Sequence, residues 1–311
     1  MQPHGAIYIL GSGAIGLPLA AYLTHAGRHA VAVRTSVDDV PKSTITVSVD
    51  NGSNNISVVV DTISLTRLTR LDGLIVIAAK SHANHGIARM LHEKGATGPI
   101  VIMQNGIGVE EPFLDASTSQ IYRCVLYATS RASSGHAFAF RPVTSSPVGI
   151  ARGTDAGLME CVKELSTDEF PLRAEGDIQR ETWKKAIINA VFNSICPLLD
   201  VDNGVFVRDA ATASLARQLV RECLMVTKRL DMDLDERELM DQIAAISDRS
   251  SGQPISTLQD IRRGRQTEMQ YLNLEIVRVA AAMQPALPLP RIDLLGKLIV
   301  AKSLLAQNAR Q

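Results

Sequence analysis

The chain has 311 residues, 46% of them apolar, enough for two ordinary cores at roughly 150 residues per domain. Its 32 basic and 32 acidic residues cancel, so bulk charge holds it neither to nucleic acid nor to an anionic membrane surface. Apolar runs are strand-sized, far short of the roughly 20 residues that span a bilayer. Residues 1–5 lack a basic leader start, and Cys124, Cys161, Cys196 and Cys223 form no Cys-x-x-Cys, so the expectation is a cytoplasmic protein without a disulfide framework or zinc knuckle.

Residues 6–10 form a short apolar run that reads as a buried parallel strand. The turn Gly11-Ser12-Gly13-Ala14-Ile15-Gly16 follows, then a helical pattern over 17–26 closed by Gly27, and a second strand over 30–33. This is a βαβ unit with a right-handed crossover. The period changes at 44–61, where two alternating runs flank Asp50-Asn51-Gly52-Ser53-Asn54-Asn55; the pattern predicts an antiparallel hairpin at the edge of the sheet. Parallel strands resume at 74–79 and 100–103 around a helix near 82–94. More strands follow over 121–151, with turns near 133–135 and 145–147. After about Asp177 strand-like runs vanish, and helical patterns occupy 179–199, 210–230, 236–246, 267–283 and 291–305. The expected division is an α/β domain over 1–177 with a mostly parallel sheet and an all-α domain over 178–311.

The glycine turn has the context a dinucleotide needs, a strand before and a helix after. The first glycine permits the sharp turn, the second lets a pyrophosphate approach the backbone, and the third lets helix and strand pack closely. The helix start offers N–H groups and a positive dipole end to phosphates. At the end of the second strand, where an acidic residue would bind the ribose 2′-hydroxyl of NAD, stand Arg34, Thr35 and Ser36. A guanidinium and two hydroxyls suit the 2′-phosphate of NADP(H), although a solvated arginine would also fit there.

In the helix over 179–199, Lys185, Asn189 and Asn193 fall on one stripe among apolar residues. The stripe reads either as the polar lining of a cleft or as a half-exposed surface. Lys80 and Asn105 follow the third and fourth parallel strands, on the carboxyl edge where open sheets bind ligands; Gly106 and Gly108 leave room for a close approach of backbone or cofactor, and Asn105 could equally be a turn former. Ser256-x-x-Gln259 and Thr267-x-x-Gln270 have capping-box form, with Glu268 suited to a first helical turn, so this stretch alone reads as a helix junction. His82, His85 and His92 come with no clustered acid or cysteine ligand, and no metal site is expected.

Taken together these residues resemble the ketopantoate reductase (2-dehydropantoate 2-reductase) family over almost the whole chain. The opening Ile9-Leu10-Gly11-Ser12-Gly13-Ala14-Ile15-Gly16, Lys80, Gln104-Asn105-Gly106-Ile107-Gly108, the helix from Trp183 to Asn193, and Ser256-Thr257-Leu258-Gln259-Asp260-Ile261 through Glu268, Tyr271 and Asn273 match its motifs in order. The resemblance implies a Rossmann-type first domain and NADPH-dependent reduction of 2-dehydropantoate to (R)-pantoate, as in pantothenate and CoA biosynthesis. Lys185 would be the general acid and Glu268 a hydrogen-bonding carboxylate. Asn189, Asn193, Asn105 and Ser256 would bind substrate. Gly11, Ser12, Gly13, Ala14, Ile15, Gly16, Arg34, Lys80 and Asn105 would hold the cofactor. The partner expected is a small 2-keto acid, with neither nucleic acid nor membrane, and a homodimer through the helical domain.

The chain departs from the family pattern after Asn193, over 194–204, and just before Ser256, over 251–254. These departures keep a second reading open, a D-2-hydroxyacid dehydrogenase of the same superfamily acting on a bulkier branched 2-keto acid. A third, an NADP-binding sensor without turnover, would have no need of Lys185, Glu268, Asn105 and Ser256 together.

Overall fold

Apolar runs without alternation can be buried on both faces only in a covered, largely parallel sheet. The computed structural model describes residues 5–36, 39–117 and 119–309; residues 1–4, part of the stretch read as lacking a leader start, lie outside them. The strands are β1 (Ile7–Leu10), β2 (Ala30–Arg34), β3 (Ser43–Asp50), β4 (Asn55–Ser64), β5 (Leu74–Ile77), β6 (Ile100–Ile102), β7 (Ile121–Cys124), β8 (Ala128–Ala132), β9 (Ala137–Pro142), β10 (Ser146–Arg152) and β11 (Leu172–Ala174). They form one 11-stranded sheet in the order β11-β10-β7-β6-β5-β1-β2-β4-β3-β9-β8. Its centre, from β7 through β6, β5, β1 and β2 to β4, is parallel throughout.

The expected β3–β4 hairpin forms, with Val47 opposite Val58, but it does not end the sheet. Strand β4 pairs with β2, and β9, backed by β8, pairs with β3. An open β3 edge would leave a row of unpaired N–H and C=O groups, and β9 covers part of it. The turn expected around 145–147 lies slightly earlier, over 143–145, and β10 starts at Ser146: the Ser146 N–H donates to the Pro171 carbonyl, and the Ser146 hydroxyl accepts from the Tyr127 N–H at 2.8 Å.

The first-half helices are α1 (Gly16–His25), α2 (Asn84–Glu93), α3 (Glu111–Ala116) and α4 (Asp155–Leu165). Thr154 caps α4 by accepting from the Gly157 N–H. Leu19, Tyr22 and Leu23 of α1 meet Phe140 and Phe170 in one apolar core. Two of these rings stack, Phe140 on Phe170 with centroids 5.1 Å apart, while Tyr22 meets Phe140 edge-on.

The second half is helical: α5 (Ile178–Leu199), α6 (Val205–Arg208), α7 (Ala210–Arg229), α8 (Glu236–Arg249), α9 (Ser256–Arg262), α10 (Asn273–Ala282) and α11 (Pro290–Asn308). A second core gathers Ile187, Val191, Phe192, Leu219, Cys223 and Ile276. The buried Glu222 carboxylate caps α11, accepting the Ile292 N–H at 3.0 Å and the Arg291 guanidinium at 3.0 Å. The helix expected over 267–283 is broken. Residues Met269–Tyr271 make one 3₁₀ turn, Leu272 leaves helical geometry, and α10 starts at Asn273. Neither expected capping box forms: Ser256 lies inside α9, the Gln259 amide turns back to the Pro254 carbonyl, and no helix starts at Thr267.

The chain divides into two compact units, residues 1–104 with 109–178 and Asn105–Gly108 with 179–311. Within the second unit, the two segments that depart from the family pattern are tied to each other. Asp202 accepts from the Gly204 N–H at 2.7 Å, the Gly252 N–H at 3.0 Å and the Arg208 guanidinium at 2.7 Å. The Asn203 N–H also donates to the Gln253 carbonyl. The Arg208 guanidinium and the two backbone donors hold the Asp202 carboxyl well below the usual carboxylate range. A depressed folded-state pKa contributes stability that is present above the unfolded-state value, roughly 3.9, and is lost as pH falls through the folded one. Asp202→Asn is therefore expected to lower stability to urea at pH 7, with the deficit shrinking below about pH 4. An equal deficit at pH 7 and pH 3 would remove the carboxylate from that role.

Candidate active site

In the first unit the glycine turn does three separate things. Gly11 has φ +118, and a Cβ there would meet the Ala78–Ala79 backbone; Gly16 lies against the Gly11 carbonyl; Gly13 is exposed, and a Cβ on it would meet nothing within 4 Å. The first and third glycines are spent on packing, while the second faces open space. The N-cap residue of α1, Ile15, makes no side-chain cap bond. An open glycine before uncapped helical N–H groups is a donor set that fits a pyrophosphate. Arg34 is the last residue of β2, half-buried, and Lys80 is exposed at the turn after β5. Both thus lie at carboxyl ends of parallel strands, as does the turn after β1.

In the second unit α5 carries Lys185, Asn189 and Asn193 at i, i+4 and i+8, a rise of about 6 Å per step. Trp183, Ile187, Ile188, Val191, Phe192 and Ile195 are buried around them. Lys185 and Asn189 are half-buried and Asn193 is only 3% exposed. The Asn193 amide donates to the Asn189 carbonyl at 2.9 Å, and its own Oδ1, fully buried, has no hydrogen-bond partner among the described residues. Asn193 therefore presents an acceptor, suited to a hydroxyl rather than to a carboxylate.

The loop Asn105–Gly108 belongs to this same unit. Ile107 packs in the second core, and its N–H donates to the Tyr271 carbonyl at 2.9 Å. A Cβ on Gly106 (φ +107) would lie 2.4 Å from that carbonyl oxygen. In an unbroken helix the Tyr271 carbonyl would serve residue 275; here it serves Ile107, which accounts for the break before α10. The Tyr271 N–H in turn donates to the Glu268 carbonyl, and the Asn273 amide donates to the buried Ser194 hydroxyl at 2.7 Å. Fold contacts thus bring the Asn105 loop, the Glu268 turn and the Asn193 end of α5 together. Ser256 is exposed at the start of α9, where its hydroxyl makes no cap bond.

The described residues hold no group of three or more His, Cys, Asp or Glu placed to bind a metal, and no helix long and apolar enough to cross a membrane. Burial pushes the Cys161 and Cys196 thiols up to about 12, so neither supplies a thiolate near neutrality. The basic run at 262–265 is partly engaged, with Arg262 3.0 Å from Asp200. Sequence reasoning missed Asn84. Its signal was present, since it occupies the inward stripe of α2 with Ile87, Ala88 and Leu91.

Comparison with known proteins identifies the family. Residues 7–143 match the family model Ketopantoate reductase PanE/ApbA, and residues 177–303 match its C-terminal counterpart. The 2-dehydropantoate 2-reductase of Archaeoglobus fulgidus is 27% identical over 275 residues, 88% of this chain and 90% of its own. The fold is similar to D-mandelate dehydrogenase solved with NADH and anilino(oxo)acetate, at TM-score 0.84, 19% identity and coverage of 97% and 99%. It is also similar to a dimeric ketopantoate reductase of Staphylococcus aureus, at TM-score 0.79, 19% identity and coverage of 97% and 99%. The chain belongs to the ketopantoate reductase family, a family of oxidoreductases, and has its Rossmann-type sheet followed by a helical domain.

Proposed function

We propose that the protein reduces 2-dehydropantoate to (R)-pantoate with NADPH, the reaction of pantothenate biosynthesis. The observation that carries this reading is Asn193, a buried amide whose oxygen is left for a hydroxyl, one helical turn from Asn189 and two from Lys185. An orphaned buried acceptor costs roughly 1–3 kcal/mol unless a donor reaches it, and the substrate hydroxyl is such a donor.

Reduction of a ketone places negative charge on its oxygen, and NADPH supplies the hydride when bound. The residues proposed to hold it are Gly11, Ser12, Gly13, Ala14, Ile15 and Gly16 at the pyrophosphate, Arg34 at the 2′-phosphate, and Lys80 and Asn105 beside it. Lys185 stabilises the charge developing on the ketone oxygen and transfers a proton to it from Nζ. Asn105, Asn189 and Ser256 orient the substrate as neutral hydrogen-bonding groups, and Glu268 completes the site as a hydrogen-bonding carboxylate. Leu294, Leu298 and Leu305, exposed on one stripe of α11, are the surface we assign to a homodimer; a monomer mass by light scattering would reject it.

A second reading, reduction of a bulkier branched 2-keto acid, is favoured by the clasp at Asp202, which joins the two departing segments on the substrate-binding half. A panel of 2-keto acids run with NADPH and with NADH separates the two. Fastest turnover is expected for 2-dehydropantoate with NADPH, and a bulkier branched 2-keto acid turned over faster would select the second reading. In the same assay Arg34→Ala is expected to weaken NADPH binding and shift preference toward NADH; an unchanged preference would contradict the 2′-phosphate assignment. Lys185→Ala is expected to lower kcat by roughly 10²-fold or more with NADPH binding little changed. Near-normal turnover in that variant would exclude Lys185 as the acid.

A further inference from the structure

The loop Asn105–Gly108 leaves the first unit after Gln104 and re-enters it at Val109, and one side chain holds both of these residues. Asn84 is fully buried at the start of α2. Its Nδ2 donates to Gln104 Oε1 at 2.8 Å and to the Val109 carbonyl at 2.9 Å, and its Oδ1 accepts from Gln104 Nε2 at 2.7 Å. Gln104 Nε2 also donates to the Ala79 carbonyl at 2.7 Å. Ala79 is the residue whose backbone lies against Gly11, where a Cβ would come within 2.3 Å of its nitrogen. Just outside the two feet, buried Arg123 donates to the Ile102 carbonyl at 3.1 Å and lies 3.8 Å from Glu110.

We propose that Asn84 is a positioning residue that sets Asn105 by clamping both feet of its loop. This rests on the reading that Asn105 meets cofactor or substrate. A residue serving only to attach α2 to the sheet would need no bond to Val109. The second Nδ2 hydrogen makes that bond, and it closes the loop across its base. Through Ala79 the same clamp ties the Gln104 foot to the backbone that packs on Gly11. Asn84 itself need touch neither ligand. Its effect is geometric: displacement of a reacting group by about 1 Å can lower a rate by around 10²-fold.

Asn84→Ala, Asn105→Ala and the two combined form the core of the test, each assayed for kcat, for NADPH Kd by fluorescence titration, and for thermal stability. Asn84→Ala is expected to lower kcat roughly 10- to 100-fold while NADPH Kd stays within about twofold. The double variant is expected to be no slower than Asn105→Ala alone, because Asn84 acts through Asn105. Asn84→Asp, which keeps the acceptor and loses both donors, is expected to follow Asn84→Ala. Where Asn84→Ala does not accumulate as folded protein, Asn84→Ser, with one donor left, carries the same comparison. A lower Tm with unchanged kcat, or additive losses in the double variant, would overturn the positioning role. Full turnover in Asn105→Ala would instead overturn the reading of Asn105 itself.

Discussion

A Cβ at Gly16 would lie 1.9 Å from the Gly11 carbonyl oxygen, and one at Gly11 would lie 2.3 Å from the Ala79 nitrogen, against roughly 3.4 Å for ordinary contact. The turn after β1 can therefore close only where two of its positions have no side chain. That closure seats α1 directly on the end of β1 and brings the end of β5 against the turn, with the Ala78 N–H on the Leu10 carbonyl. It also leaves Gly13 facing outward. The open position exists because its two neighbours are filled by backbone, and the space a pyrophosphate would need is a by-product of packing.

The same contact extends further through the first unit. Ala79 accepts from Gln104, Gln104 is paired to Asn84, and Asn84 reaches Val109. A strand end, a helix start and the two feet of a loop share one set of buried amides. Such a network is worth keeping only when fully satisfied, since each buried polar group left without a partner costs on the order of 1–3 kcal/mol. The carboxamide suits this position because it donates twice and accepts on one side chain; a carboxylate or an aliphatic residue of similar size cannot do both.

Local pattern made the parallel strands, the glycine turn, the hairpin and most of the second-half helices legible. What it could not supply was neighbour identity. The alternation of β3 and β4 says that they pair, but not that β9 covers β3, because that contact joins residues about 90 positions apart in sequence. The apolar pattern over 267–283 is continuous, and the helix breaks because Ile107, from a distant loop, takes the Tyr271 carbonyl. Thr267 and Ser256 have the composition of caps without the geometry, since the chain reaches them in conformations set by tertiary packing. At the candidate site, the Lys185–Asn189–Asn193 stripe was visible as polar residues between the apolar flanks Ala186–Ile188 and Ala190–Phe192. Asn84 broke the pattern of α2 in the same way.

The two asparagines differ in what their burial implies. A helical stretch buried on nearly every side belongs in a core, and α5 is one from Ala186 to Cys196. An amide inside such a core must find partners or leave the structure weaker. Asn84 has partners for both hydrogens and for its oxygen, so its burial is explained by the fold alone. Asn193 spends one hydrogen on its own helix and leaves its oxygen unmet, so its burial is not. Leucine at 193 would extend the apolar surface of Val191 and Phe192, and packing alone gives no reason for an amide there. The fold thus separates a polar group that completes the scaffold from one that the scaffold leaves incomplete, and it is the second that the proposed substrate hydroxyl would complete.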